Sequence, residues 1–413
     1  MEDLNTLLVD TVRTERGRIV AGLLRYCGNI DVCEEAFQEA VLAALDAWRK
    51  EVPANPGAWL MTSAKNSARD AWRRREVAAA KSMVLRDDTV EERDSVDTIQ
   101  DDYLRLICTC CHPDLSLDNQ IALTLKVVAG FSTLEIARAF VGSEATVSQR
   151  ILRAKQSLTE KKVRYGVPER SELPGRVSAV LGVIYSMFNE GYTAHAGPLM
   201  RLDLQAEAFQ LAKQLSDCLP REPEAFGLVA LIAFGTARAK TRVDEDGIPI
   251  LLSEQDRSLW SKEVLREGFM ALGRAQSLGG HGAYVLQAEI ASEHVRAPTW
   301  QHTNWAQIVV LYNALDEVSP SPIVKLNRGI AVSMLEGPAA GLRALVELEP
   351  ILAGYHLFYA VRADLVERGG GDPTDDLLKA RALVKNDGER RLLERRLANV
   401  GHMSPGRRGL PLV

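Results

Sequence analysis

The chain has 413 residues, 46% hydrophobic and 25% charged, with a formal net charge of −5. That balance describes a globular protein with real cores, long enough for two or three domains, and excludes an intrinsically disordered chain or a blanket polycation. Any contact with nucleic acid must then come from local basic patches.

The opening "MEDLNTLLVD" is acidic and lacks the apolar core of a signal peptide. "VSAVLGVIYSMF" and "AFGLVALIAFGTA" fall short of the roughly 20 residues a membrane span requires. A cytoplasmic protein without membrane contact is expected. Cys27, Cys33, Cys108, Cys110, Cys111 and Cys218 are too sparse for a disulfide framework. Periodicity is helical almost throughout, with no convincing strand alternation, so the expected class is all-α.

From Thr14 to Arg75 the helices follow in quick succession. Pro56 can open a helix, where its missing N–H costs little. Trp59, Leu60, Ala64, Ala71 and Trp72 then form an inward face. Lys65, Asn66, Arg69 and the run Arg73, Arg74, Arg75 are left to face a phosphate backbone. Asn66 has the paired donor and acceptor needed to hold a base edge, and an aromatic such as Trp59 can pack on unstacked bases. The arginine run equally fits a solvated helix end favoured by the helix dipole.

Residues Glu76 to Asp102 hold nine acidic residues against three basic ones, Lys81, Arg86 and Arg93. Such a segment cannot bury enough apolar area to fold alone, so 81–102 is expected as an acidic flexible linker. "CTCCH", Cys108 to His112, contains zinc's preferred ligand types. It lacks paired Cys-x-x-Cys knuckles, and adjacent cysteines on a helix point about 100° apart. A packed helix end before Pro113 is the favoured reading, with no metal expected.

"FSTLEIARAFVGSEATVSQRILRAKQSL", Phe131 to Leu158, reads as two short helices about a tight turn. Ser132 and Glu135 make a capping box, so a helix should start at Thr133. Gly142 suits the turn, and Ser143 can cap the second helix. Val147, Ile151, Ala154 and Leu158 form one apolar stripe. Gln149 and Arg153 point away from it, flanked by Thr146 and Arg150. This is a helix-turn-helix with a basic outer face, although an ordinary helical hairpin with a solvated face has the same pattern.

"YGVPERSELPGR" marks the next boundary, and 170–400 consists of helix pairs. "NRGIAVSMLEGPAAGLRALVEL" from Asn327 and "YAVRADLVERGGGDPTDDLLKARALV" from Tyr359 correspond at an offset of 32 residues, with Ala331 matching Ala363. That layout is tetratricopeptide-like. "KTRVDEDGIPILLSEQDRSLW" is expected as a polar loop interrupting the array. "NEGY", Asn189 to Tyr192, fits an interdomain contact, or else a ligand or partner site.

In this order, the first 165 residues resemble a bacterial RNA polymerase sigma factor of the sigma-70 family, extracytoplasmic-function type. The region 2.2 pattern falls on Glu35, Gln38 and Glu39. Regions 2.3 and 2.4 are matched by Ala58-Trp59-Leu60, Lys65-Asn66, Ala68-Arg69-Asp70 and the arginine run. Region 4.2 is matched by Glu135-Ile136-Ala137, Thr146-Val147, Arg150 and Arg153-Ala154. The extension, with "CCHPDLS" and "YSMFNEGYTAH", resembles a sub-group of these factors with a long tetratricopeptide-like C-terminal domain.

The resemblance implies sigma region 2 over 1–80, the linker, sigma region 4 over 103–166 and a regulatory or partner-binding array over 170–400. It implies docking of Glu35, Gln38 and Glu39 on the β′ clamp helices of core polymerase. Trp59, Lys65, Asn66, Arg69, Arg73 and Arg74 would capture the melted −10 strand. Thr146, Gln149 and Arg153 would meet the −35 major groove, with Arg150 and Lys155 on phosphates. A protein partner of the C-terminal array is left open. No enzyme motif is present: there is no P-loop, no dinucleotide fingerprint, no His-Glu-x-x-His and no nucleophile elbow. No cofactor is expected. The alternative from another class is a one-component helix-turn-helix activator with a tetratricopeptide-like sensor and no docking to core polymerase.

Overall fold

The computed structural model describes all residues except Met1, Gly28, 79–95, 140–142, Lys162, 164–172, 195–198 and 401–413; for some helical residues it describes only the backbone. Among the described residues the fold is all-α, its only strand-like feature an isolated antiparallel bridge between Val243 and Pro249. The chain forms two compact units, 1–183 and 184–413.

Unit 1 starts with three helices, α1 (Glu2–Cys27), α2 (Ile30–Ala47) and α3 (Pro56–Ala78), packed against one another. Asn29 caps α2 by accepting from the amides of Asp31 and Val32. Asn55 does the same for α3, accepting from Ala58 N at 3.0 Å, just ahead of Pro56. The inward face of α3 is Leu60, Ala64 and Ala68, all buried. Trp59, expected inward, is half-buried and sets its ring edge-on to the buried Trp48 at 5.8 Å.

Then come α4 (Val96–Cys110), α5 (Leu117–Val127), α6 (Thr133–Ala139) and α7 (Glu144–Glu160). Two expectations change here. Residues 96–102, expected as linker, form the start of α4, and Asp102 and Tyr103 are buried. The acidic count misleads because Tyr103, Leu106, Ile107 and Cys110 supply an apolar stripe that the charged residues flank. The remainder of the proposed linker lies outside the described residues. Moreover, α4 packs along α1, so the two expected domains 1–80 and 103–166 fall in one unit. Gly17 permits the contact: a Cβ there would lie 2.6 Å from Tyr103 Cε2.

The boundary expected at "YGVPERSELPGR" falls later, within α8 (Leu173–Tyr192). The first half of α8 belongs to unit 1, where Val177, Val180 and Leu181 are buried.

Unit 2 continues with α9 (Leu202–Cys218), α10 (Pro223–Thr236), α11 (Lys262–Ser277), α12 (Ala283–Arg296), α13 (Trp305–Val318) and α14 (Pro322–Glu336). It ends with α15 (Pro338–Leu345), α16 (His356–Arg368), α17 (Thr374–Leu383) and α18 (Asp387–Val400). Successive helices pack as hairpins: α9 on α10, α10 on α11, α13 on α14, α14 on α15 and α16 on α17. The paired segments seen in the sequence end in step, α14 at Glu336 and α16 at Arg368. Ala331 and Ala363 are both buried. Gly337 turns the first pair with φ +95°, a conformation reserved for glycine.

The interrupting loop is not simply a polar excursion. Its bridge is closed by Asp244, which accepts from Ile248 N at 2.8 Å, and Ile248, Leu252 and Trp260 are buried. The array also returns on itself. Asn386, before α18, donates to Ala194 O at 2.9 Å just after α8, and Arg395 of α18 pairs with Asp244 at 3.0 Å and Asp246 at 3.4 Å.

Asp364 of α16 is 1% exposed and pairs with Arg368 at 3.4 Å. Burial pushes its carboxyl up to about 6, and Arg396 and Arg368 pull it back only in part. The native state thus holds a proton that the unfolded chain releases near pH 4, so this group's contribution to stability falls as pH rises between about 4 and 6. Asp364→Asn, which mimics the protonated form, is expected to match wild type near pH 4 and to exceed it at pH 7, by up to roughly 3 kcal/mol. Denaturant unfolding of both chains at the two pH values measures the difference.

Candidate nucleic-acid and polymerase interface

The second helix of the expected helix-turn-helix is α7. Ser132 and Glu135 make the expected capping box: Ser132 N and Oγ donate to Glu135 Oε2 at 2.7 and 2.6 Å, and Glu135 N donates to Ser132 Oγ at 3.2 Å. Ser143 Oγ accepts from Thr146 N at 3.1 Å and starts α7. Val147, Ile151, Ala154 and Leu158 are buried. Thr146, Gln149 and Arg153 lie exposed on the opposite side. The turn, 140–142, is outside the described residues.

Two of the expected phosphate contacts are engaged within the protein. Arg150 pairs with Asp118 at 3.2 Å, a partly exposed contact that solvent can replace. Lys155 is different. It reaches α2, contacting Asp31 at 2.5 Å and Glu34 at 2.9 Å. Glu34 is 8% exposed and its other oxygen receives Arg16 Nη2 at 2.8 Å; Arg16, 7% exposed, also donates to Lys126 O at 3.4 Å. Burial pulls the Lys155 ammonium pKa down, but Glu34 and Asp31 outweigh it and the net direction is up. Here the residue expected on a DNA phosphate ties α7 to the first helices. Its position one turn from Ile151, half-buried rather than outward, is the physical reason.

On α2, Glu35 and Gln38 are exposed and Glu39 half-buried. Leu42, one turn further along the same face, is 64% exposed. Sequence reasoning passed over this residue, although a leucine at a solvent-facing register position was the available signal. On α3, Asn66 and Arg69 are exposed and Lys65 half-buried, so these residues sit side by side around the helix. The side chains of Arg73 and Arg74, in the last turns of α3, lie outside the described residues, as does that of Trp72.

The thiols of "CTCCH" turn inward. Cys110 and Cys111 are fully buried, and Cys111 Sγ lies 3.5 Å from Thr124 Oγ1. Burial pushes Cys108 up to about 11 and Cys111 up to about 12. Among the described residues no group of three His, Cys, Asp or Glu side chains is arranged to hold a metal ion. No helix among them is long and apolar enough to cross a membrane.

Residues 11–77, covering α1 to α3, match the family Sigma-70 region 2, and residues 176–276 match a family of unknown function (DUF6596). The N-terminal helices therefore carry a sigma-70 region 2 domain, which supports a sigma-70 family factor. An uncharacterized protein of Rhizobium meliloti (strain 1021) is 40% identical over 364 residues, covering 86% of each chain. The chain belongs to the same family as that protein. No solved structure matches it. Region 2 implies binding to core RNA polymerase and promoter DNA and suggests sigma factor activity.

Glu34→Gln should cost unit 1 roughly 3 kcal/mol, because it leaves the buried Arg16 without its charge partner. Arg150→Met, which removes an exposed pair, should stay within about 0.5 kcal/mol. Urea unfolding of the full chain, repeated at high salt, separates the two: a loss at Glu34 that salt does not erase is expected.

Proposed function

We propose that this chain is a sigma factor of the extracytoplasmic-function type. It docks on the clamp helices of core polymerase through α2, captures the melted −10 strand with α3 and reads the −35 element with α7. The observation that carries the reading is the region 2 match lying on helices whose Glu35, Gln38 and Leu42 form one solvent-facing strip. An apolar point within a polar, acidic strip suits a helix-to-helix dock, with Leu42 as the anchor and the charges setting register.

On α7, Gln149 and Arg153 are free of the buried stripe and within reach of base edges, where each good contact is worth about 1–3 kcal/mol of discrimination. Thr146, near the start of the helix, suits a backbone or base-edge contact. Asn66 and Arg69, supported by Lys65, Trp59, Arg73 and Arg74, suit an unpaired strand. The helical array of unit 2 modulates this activity or holds a protein partner. The protein acts in the cytoplasm, where its polymerase is, and by initiation rather than by catalysis of its own.

Run-off transcription on a linear promoter template, with core polymerase and no other sigma factor, tests the reading. A transcript is expected. DNA binding without a transcript would favour the one-component activator instead.

Two variant sets assign the surfaces. Leu42→Asp and Gln38→Ala should weaken core affinity in competition with another sigma factor while leaving the fold intact, Leu42→Asp by about tenfold or more. Gln149→Ala or Arg153→Ala should relax choice at one or two −35 positions, whereas Arg150→Ala should weaken all sequences alike. Asn66→Ala should spare −35 binding and impair opening at −10, read by permanganate footprinting.

A further inference from the structure

Unit 2 contains a concentration of positive charge that the sigma reading does not use. Arg238, Arg242 and Arg257 lie around the loop between α10 and α11. Each has a local contact, but none is a carboxylate. Arg238 Nε donates to Gln255 Oε1 at 3.2 Å. Arg242 donates to Tyr192 O and to Thr193 Oγ1, the latter at 3.2 Å, with its guanidinium 3.3 Å from the centre of the Tyr192 ring. Arg257 Nη1 donates to His294 O at 2.5 Å and Ala297 O at 2.8 Å. Arg238 and Arg257 both lie over the indole of the buried Trp260, at 5.7 and 4.7 Å.

Among the described residues none of the three forms an ion pair. Glu389 acts on Arg242 only at a distance and is itself bonded to His356 at 3.1 Å. Burial pulls the pKa of Arg257 down, and Arg238 pulls it further in the same direction; the same two causes act on Arg242, against Tyr192. Like charges are therefore held together at a cost.

A second set of groups in the same neighbourhood also lacks partners. Arg257 Nη2, His294 Nδ1, Trp300 Nε1 and Thr303 Oγ1 are buried with no hydrogen bond. His294 is 6% exposed, Trp300 5% and Thr303 6%. His294 and Trp305 pack edge-on at 5.3 Å, and Trp300 and Trp305 at 4.8 Å, so these groups form one aromatic cluster beside Arg257. A water could satisfy a hydroxyl or an imidazole, but it cannot balance the charge of three guanidinium groups. An anion can do both.

We propose that the cluster around Arg238, Arg257 and Trp260 binds a small oxyanion, a carboxylate or a phosphate. The terminal nitrogens of Arg238 are bonded to no described group, and the side chain is only half-buried, so it can present the planar fork that matches an oxyanion. Trp260, buried beneath the two guanidinium groups and donating from Nε1 to Thr241 Oγ1 at 3.0 Å, holds them in place. Arg242, stacked on Tyr192 at the end of α8, adds to the field. Its place is beside the contact between Asn386 and Ala194 that joins the two ends of unit 2, so occupancy would favour the closed array.

Thermal melting of the free full-length chain tests this without polymerase or DNA, so its outcome is independent of the sigma reading. The probes are inorganic phosphate, acetate and benzoate at matched ionic strength, with sodium chloride as control. A saturable rise in Tm with at least one probe is expected, accompanied by a change in tryptophan emission that Trp260→Phe reduces. Phosphate alone acting would assign the oxyanion as a phosphate; acetate and benzoate acting without phosphate would assign it as a carboxylate. Arg238→Gln should weaken the response by about tenfold or more, and Arg238→Lys, which keeps the charge and loses the fork, by less. No rise beyond the chloride control with any probe, or an equal rise in wild type and both folded Arg238 variants, would overturn the proposal.

Discussion

The carboxylate of Glu34 receives Arg16 from α1 on one oxygen and Lys155 from α7 on the other, and the arrangement of unit 1 follows from keeping those charges together. A buried ion group is costly to assemble, and it is costly to leave half-assembled. Arg16 is further committed by its bond to Lys126 O and its place over the Phe37 ring at 5.2 Å. Helix α7 is therefore tied to region 2 through specific polar partners, while α4 packs on α1 by apolar contact. The same helix that supplies Asp31 and Glu34 to this group turns Glu35, Gln38 and Leu42 to solvent. Adjacent residues of α2 thus serve an internal tie and an outward face.

Much of this was legible in the sequence because it rests on local rules. The capping box at Ser132, the N-cap at Ser143 and the stripe Val147, Ile151, Ala154 and Leu158 depend only on spacing, and each is present in the structure. Region 2 was legible for another reason: its order of short motifs is distinctive even where no single one is. What escaped depends on tertiary neighbours. Lys155 reads as one more basic residue on a basic helix until Asp31 and Glu34, distant in sequence, arrive beside it. The start of α4 looks like linker because its acids outnumber its bases, although Tyr103 and Leu106 already mark a buried face. "NEGY" was expected at an interdomain contact, or else at a ligand or partner site. Within unit 2, Gln205 Nε2 donates to Gly191 O at 2.8 Å and Tyr192 lies beneath Arg242.

The arginines of unit 2 were hidden for a similar reason. Arg238, Arg242 and Arg257 occur in a stretch that also carries Asp244, Glu245, Asp246, Glu254 and Asp256, so the local charge looks balanced. The fold separates the signs. Asp244 closes its own turn and takes Arg395, and Asp256 accepts from Ser258 N at 2.9 Å. The cations are left facing aromatic rings and carbonyl groups.

The return of α18 to the end of α8 has a consequence for how the array folds and fails. In an open stack each hairpin touches only its neighbours, so the ends fray and partial stacks survive. Here Asn386 bonds to a carbonyl 192 residues earlier in the chain. Closing so long a loop raises the contact order, which slows folding, and it couples the first hairpin to the last. Unit 2 should melt as one cooperative body rather than unzip from its C-terminal end, and hydrogen exchange in α9 should respond to damage in α18. A chain whose synthesis stops short of α18 would lack the contact that completes its beginning.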